Sequence, residues 1–414
     1  MTDIDPGIRR QDTEDDGLRP HPDATWPLPR TCPFSNPPQY ETLRDEQPIA
    51  SFPLPTGAGT GWLVTKHDHV QKILLDPRVT SDRTKPSYPV GPIPPEMVKE
   101  LDMSLVWMDP PIHTKRRGML IPEFTVKRMR SLRPRIQEIV DEYLDAMTAG
   151  KNTADLMTEF ALPVPSLIIC ELLGVPKDQH AFVQETARSM ISSDPKEIYV
   201  ANRNLLDFMS SVVAAKEDEP TDDLFGRLIE KNKGEQLLDR HDMTAIAKLL
   251  LLAGHETSAN MIAMGVVTLL RHPEQLAKIK DDPSLTPNAI EELLRYLSIT
   301  DFLPSRGATE DIELDGVTIR AGDAIMALCG SGNRDADTYT NPDSLDITRK
   351  ARNHLGFGHG PHQCLGQNLA RMELEIVYNT LFEQLPNLEL AVPVDELPFK
   401  AAPPFGLASV PVRW

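Results

Sequence analysis

The 414-residue sequence predicts a mainly α-helical chain with a small share of strand. Apolar residues recur at helical spacing over much of the chain from Ile136 onward. One run, residues 243–270, is apolar on nearly every face, which marks a helix of roughly 40 Å through the middle of the protein. Strand-like alternation is confined to residues 60–65 and 311–328, the latter around Asp315-Gly316, a two-residue hairpin signal.

Composition bounds the rest. A chain that is 40% hydrophobic and 25% charged can bury a large core, and its length allows two or three domains. A formal net charge of -18 argues against nucleic acid or an anionic membrane as the main partner. The four cysteines, at positions 32, 170, 329 and 364, form no CxxC pair and no metal-ligand spacing, which suggests a reducing compartment, the cytoplasm. Residues 1–25 are polar and acidic, with no leader pattern, and are expected to be a mobile tail; no run of 18 apolar residues marks a membrane span. The 38 prolines crowd residues 20–55 and 86–123, so those connections are expected to be irregular but stiff.

In chain order, residues 60–65 read as a strand and residues 67–75 as a helix with Val70, Ile73 and Leu74 on one face. A proline-rich loop spans residues 79–106. Residues 109–117 (DPPIHTKRR) begin a helix that sets His113 and Arg117 on one face, either to grip a carboxylate or simply to face solvent. From His113 to Arg135 there are eight Lys or Arg and one acid, Glu123, a basic patch suited to an acidic protein partner. Helices follow at residues 178–192, 196–215 and 221–231, none with a catalytic constellation. Inside the long helix, residues 253–257 (AGHET) bring a glycine, two ionisable groups and a hydroxyl. Gly254 would permit close approach of a flat ligand, and the Thr257 hydroxyl can bond the Ala253 carbonyl and open the helix locally. The duller alternative is a buried helix with a satisfied threonine. Glu292 and Arg295 lie one turn apart, where they can pair.

Residues 357–366 (FGHGPHQCLG) set Cys364 among glycines at a helix start. Leu365, Leu369, Met372 and Ile376 form the apolar stripe of that helix, whose N-terminal N–H groups would favour sulfur as a thiolate. Gly358, Gly360 and Gly366 clear the way for a loop wrapped round something large and flat, and His362 could reach an acidic substituent of it. The bland alternative is a glycine-rich turn holding a structural cysteine.

This loop resembles the haem-binding loop of the cytochrome P450 family: Phe357, Gly360, His362, Cys364 and Gly366 occupy every fixed position of its pattern. The resemblance covers roughly residues 26–414 and implies one mainly α domain with a small β-rich lobe, the cytochrome P450 fold. It implies haem b, with Cys364 as the axial iron ligand and with His113, Arg117, Gly254, Arg306, Phe357, His362 and Gly366 about the cofactor. Glu256 and Thr257 match the family's acid-alcohol pair for proton delivery, and Glu292, Arg295 and Arg349 match a structural triad. Met190, Ile191, Asp301, Phe302, Leu303 and Phe405 would line the substrate pocket, although Asp301 reads equally as a solvated loop residue.

The implied activity is insertion of one oxygen atom of O2 into a bulky, mainly apolar molecule, by hydroxylation or epoxidation. The motif wording resembles bacterial enzymes of secondary metabolism or foreign-compound oxidation. Electrons would come from a ferredoxin and its NAD(P)H-dependent reductase, docking on a monomer near Lys115, Arg116, Lys127 and Arg128. Two rivals are a peroxide-driven peroxygenase and a haem-binding sensor or carrier without turnover; the Glu256-Thr257 pair argues against both.

Overall fold

The apolar run 243–270 folds as the middle of a longer helix, Arg240–Arg271, hereafter the central helix. It starts three residues before the run read in the sequence, at a capping box in which Asp239 accepts from the Asp242 N–H while the Asp242 carboxylate accepts from the Asp239 N–H. From Ser258 to Leu269 every residue is buried, as expected of a helix without a polar face. The computed structural model describes residues 21–26, 28–54, 59–85, 88, 105–189, 195–301, 305–400 and 404–414. Of the sequence-based expectations, the tail over residues 1–20, most of the loop 79–106, and Met190, Ile191, Phe302 and Leu303 lie outside these.

The chain is mainly helical, and helices surround the central one. Val126–Thr148, Pro163–Leu173, Pro195–Asp218 and Gln367–Gln384 contribute to the main core with it. Val126–Thr148 begins ten residues before the helical pattern read at Ile136. Thr125 accepts from the Arg128 N–H as its N-cap, and Pro134 lies within the helix without ending it. Further helices are Ile112–Leu120, His180–Ser189, Leu224–Glu235 and Thr286–Leu297. Among the described residues no helix is long and apolar enough to cross a membrane.

The strands gather mainly into one five-stranded sheet, ordered β1-β2-β8-β5-β3. β1 (Ile49–Pro53) pairs antiparallel with β2 (Thr60–Val64), and β2 runs parallel to β8 (Ala324–Ala327). β5 (Ser305–Ala308) joins β8 to β3 (Val79–Thr80). The expected 79–106 loop thus opens with a strand, too short to show alternation. Residues 311–328 divide: β6 (Ile312–Leu314) and β7 (Val317–Ile319) form the hairpin over Asp315 (φ 48°) and Gly316 (φ 80°), and β8 leaves for the large sheet. Smaller sheets pair β4 (Thr153–Asp155), β12 (Pro411–Arg413) and β9 (Glu389–Leu390), and β10 (Phe399–Lys400) with β11 (Gly406–Leu407).

Candidate active site

Cys364 follows a 3-10 turn, Gly360–His362, and precedes the helix Gln367–Gln384, hereafter the cysteine helix. The Cys364 N–H donates to the Phe357 carbonyl at 2.8 Å and the Gly358 N–H to Leu355 at 2.8 Å, closing the loop on itself. Gly358 (φ 69°) and Gly360 (φ 72°) take the left-handed conformation that glycine alone adopts freely. A β-carbon on Gly360 would stand 2.5 Å from the Leu74 carbonyl oxygen, whereas at Gly358 and Gly366 it would meet nothing within 4 Å. One side of the loop is packed and another is open, with Cys364 half-buried. Burial pushes the thiol up, against the Gly366 N–H and the charges of Arg117 and Arg371, which favour the thiolate.

Helix Ile112–Leu120 brings its basic face to this loop. Arg117 donates to the Gln363 carbonyl at 2.5 Å, and the His113 ring stacks on His362 with centroids 4.1 Å apart. Burial, then the neighbouring Arg306 and His113, hold His362 down to about 3; burial and Arg117 lower His113. Both ring nitrogens of buried His113 lack a hydrogen-bond partner. The two imidazoles thus lie near the guanidiniums of Arg117 and Arg306, with the Asp109 carboxylate acting on both rings and Ser81 Oγ 3.2 Å from His362 Nε2.

This donor set fits haem, which carries an iron, a flat ring and two carboxylates. The thiol, the glycines with open β-positions and the orphaned His113 nitrogens correspond to those three parts. Phe357 opens the loop and lies under the Arg371 guanidinium, 4.6 Å from its ring centroid.

The central helix changes character at the AGHET motif. Ala253 is exposed and Gly254, Glu256 and Thr257 are partly exposed, just before the stretch from Ser258 that is buried throughout. The Thr257 hydroxyl donates to the Ala253 carbonyl at 2.5 Å, as expected, but the helix runs through the motif unbroken. Gly254 also has a packing role: a β-carbon there would lie 3.0 Å from Ile169 Cδ1, so the glycine accommodates a neighbouring helix while it and Ala253 keep accessible surface. Glu256 Oε1 accepts from Lys400 Nζ at 2.9 Å, a partner on β10 that no local pattern announced. Ser258 donates to Glu373 at 3.1 Å, tying the helix just beyond Thr257 to the cysteine helix.

Glu292, Arg295 and Arg349 come together. Glu292 and Arg295 are fully buried, with two bonds of 2.7 Å between them, and Arg349 Nε reaches the same carboxylate at 3.1 Å. Arg295 also donates to the carbonyls of Asn333 and Pro342, so the triad secures the 333–349 segment. Asp301 is neither solvated nor free to meet a ligand. It is 3% exposed, and its oxygens accept from the Tyr40 hydroxyl and the Gly330 N–H. Phe405 is buried, stacked on Phe399 at 6.2 Å and covered by Arg30 at 4.7 Å, so its ring belongs to the core more than to a pocket wall.

A mainly helical fold with a cysteine loop whose donors fit haem finds its relatives in one family. Residues 175–411 match the family model "Cytochrome P450", and the chain belongs to that family. It is 46% identical over 393 residues to pentalenic acid synthase of Streptomyces avermitilis, covering 94% of this chain and 97% of that one. Vitamin D3 dihydroxylase of Streptomyces griseolus is 44% identical over 392 residues, 94% and 96% of the two chains. The crystal structure of cytochrome P450 MoxA from Nonomuraea recticatena superposes with a TM-score of 0.88 at 45% identity, covering 95% and 98%. The chain is a cytochrome P450 monooxygenase, with a haem-iron cofactor, O2, a small organic substrate and redox partners.

Proposed function

We propose that Cys364 is the axial ligand of haem b and that the donors beside it hold the haem carboxylates. The observation that carries this is His113, buried, stacked on the cysteine loop and unpartnered at both ring nitrogens. Arg117 and Arg306 supply the charge, and His113 and His362 donate hydrogen bonds to the same anions. When bound, the iron activates O2 toward a substrate C–H bond, its thiolate ligand favouring O–O cleavage.

The balance is one O2, two electrons and two protons for one C–OH and one water. The polypeptide's own part is the protons. The Thr257 hydroxyl gives its hydrogen to the Ala253 carbonyl, which orients its oxygen lone pairs to receive a donor on the accessible face. Glu256 is the exchangeable acid behind it, held by Lys400. The substrate is a bulky, mainly apolar molecule, consistent with relatives named for vitamin D3 and pentalenic acid. Electrons arrive from a ferredoxin that meets the basic surface near Lys115 and Lys127.

The test is the haem-loaded protein with Thr257→Ala. Its reduced carbon monoxide complex should keep the thiolate absorption signature, while product formed per NAD(P)H consumed falls roughly ten-fold or more. Unchanged coupling would remove Thr257 from proton delivery, and absence of the thiolate signature in the wild type would remove Cys364 as ligand.

A further inference from the structure

Beside the buried triad lies a second network, unrelated to any motif read in the sequence. Glu291, adjacent to Glu292 on helix Thr286–Leu297, is 3% exposed and turns toward the cysteine helix. Arg371 donates to it twice, Nε at 2.6 Å and Nη2 at 3.1 Å, and Gln367 Oε1 accepts from Arg371 Nη1 at 2.8 Å. The guanidinium so fixed covers the ring of Phe357, in the cysteine loop. From the other side, His354 Nε2 lies 3.1 Å from the same carboxylate, and its Nδ1 accepts the Gly356 N–H at 2.9 Å. That acceptor role fixes the neutral tautomer with the proton on Nε2, donated to Glu291.

One carboxylate therefore holds the loop at two points, its backbone through His354 and its aromatic ring through Arg371. We propose that Glu291 and Arg371 are positioning residues for Cys364, which set the charge and the placement of the cysteine loop. This rests on the haem-thiolate reading above. Arg371 is seven residues after Cys364, on the second turn of the cysteine helix. Burial pushes Glu291 up, but its bonds to His354 and Arg371 prevail and hold it down to about 2, so the pair is ionised at neutral pH. The charged and titratable groups around the pair are Glu291, Arg371 and His354, with Arg295 acting on His354.

A pair of opposite charges gives an asymmetric test. Reduction of the iron adds negative charge, which a nearby cation favours and a nearby anion opposes. In haem-loaded protein, Arg371→Met should lower the ferric/ferrous midpoint potential and Glu291→Gln should raise it. Arg371→Lys, which keeps the charge and loses the fork, should restore most of the potential. Hydrogen exchange of residues 354–366 should quicken in Arg371→Met and Glu291→Gln alike, because each releases the loop. Potentials that stay at the wild-type value, or move in the same direction in Arg371→Met and Glu291→Gln, would overturn the proposal and leave the pair a structural staple only. A wild type without the thiolate signature would overturn the parent reading, and this proposal with it.

Discussion

At the scale of single residues, the informative side chains are polar groups whose partners sit far away in sequence. Glu373 is the sharpest case. It is buried with Ser258 as its hydrogen-bond partner, its Oε1 has none, and burial raises it from 4.5 to about 8. Its folded value lies above its unfolded one, so the stability linked to its proton is fully present below about pH 4.5 and is lost as pH rises toward about 8. Glu373→Gln keeps the shape and removes the titration. Denaturant unfolding from about pH 5 to about pH 8 should show the variant gaining on the wild type as pH rises, by on the order of a few kcal/mol. A difference independent of pH would mean the carboxyl is already ionised at neutral pH. Glu256 likewise finds its partner far away, in Lys400 on a hairpin that also contacts Asn260 of the central helix.

Between elements, the spacing of the central and cysteine helices sets the site. They approach closely because Gly265 faces Tyr378, whose hydroxyl donates to the Met261 carbonyl at 2.7 Å. A β-carbon at Gly265 would stand 1.9 Å from that hydroxyl. Gly265→Ala should therefore cost about 1–3 kcal/mol by overpacking, measured as a lower unfolding midpoint. Combining it with Tyr378→Phe, which removes the obstructing oxygen, should cost less than the sum of the two single changes. Additive costs would show that the helices separate instead. The same logic applies at Gly254, where the missing side chain admits Ile169 of helix Pro163–Leu173.

Over the whole molecule, the basic patch stands out against a net charge of -18. The structure divides it. Arg116 is bound at two points to Asp242, and Arg128 lies 3.9 Å from Glu123, which also holds Arg227. Lys115 and Lys127 remain exposed, on the same segments as exposed Ile112, Ile121 and Val126, a mixed surface of the kind that partners bury. Reversing charge at Lys115 and Lys127 should slow ferredoxin-driven reduction several-fold at low salt while leaving peroxide-driven turnover intact. Equal loss of both would refute docking there. Arg116→Glu would report stability, since it strands Asp242.

How far the sequence reached follows from how local each determinant is. The central helix, the helix 67–75, the Asp315-Gly316 hairpin and the cysteine loop were legible because periodicity, turn chemistry and a short fixed motif are properties of neighbouring residues. The loop also pointed to the class of chemistry, through its resemblance to the family's haem-binding pattern at Phe357, Gly360, His362, Cys364 and Gly366. Short strands such as β3 were invisible, because two residues cannot show alternation. The packing of Ile169 against Gly254 at AGHET depended on which helix lies behind it. So did the burial of Asp301 under Tyr40, the capture of Glu256 by Lys400 and the Glu291–Arg371–His354 network. Each of these joins residues tens to hundreds of positions apart, and their pairing is fixed by the need of buried polar groups for partners that only the packed chain supplies.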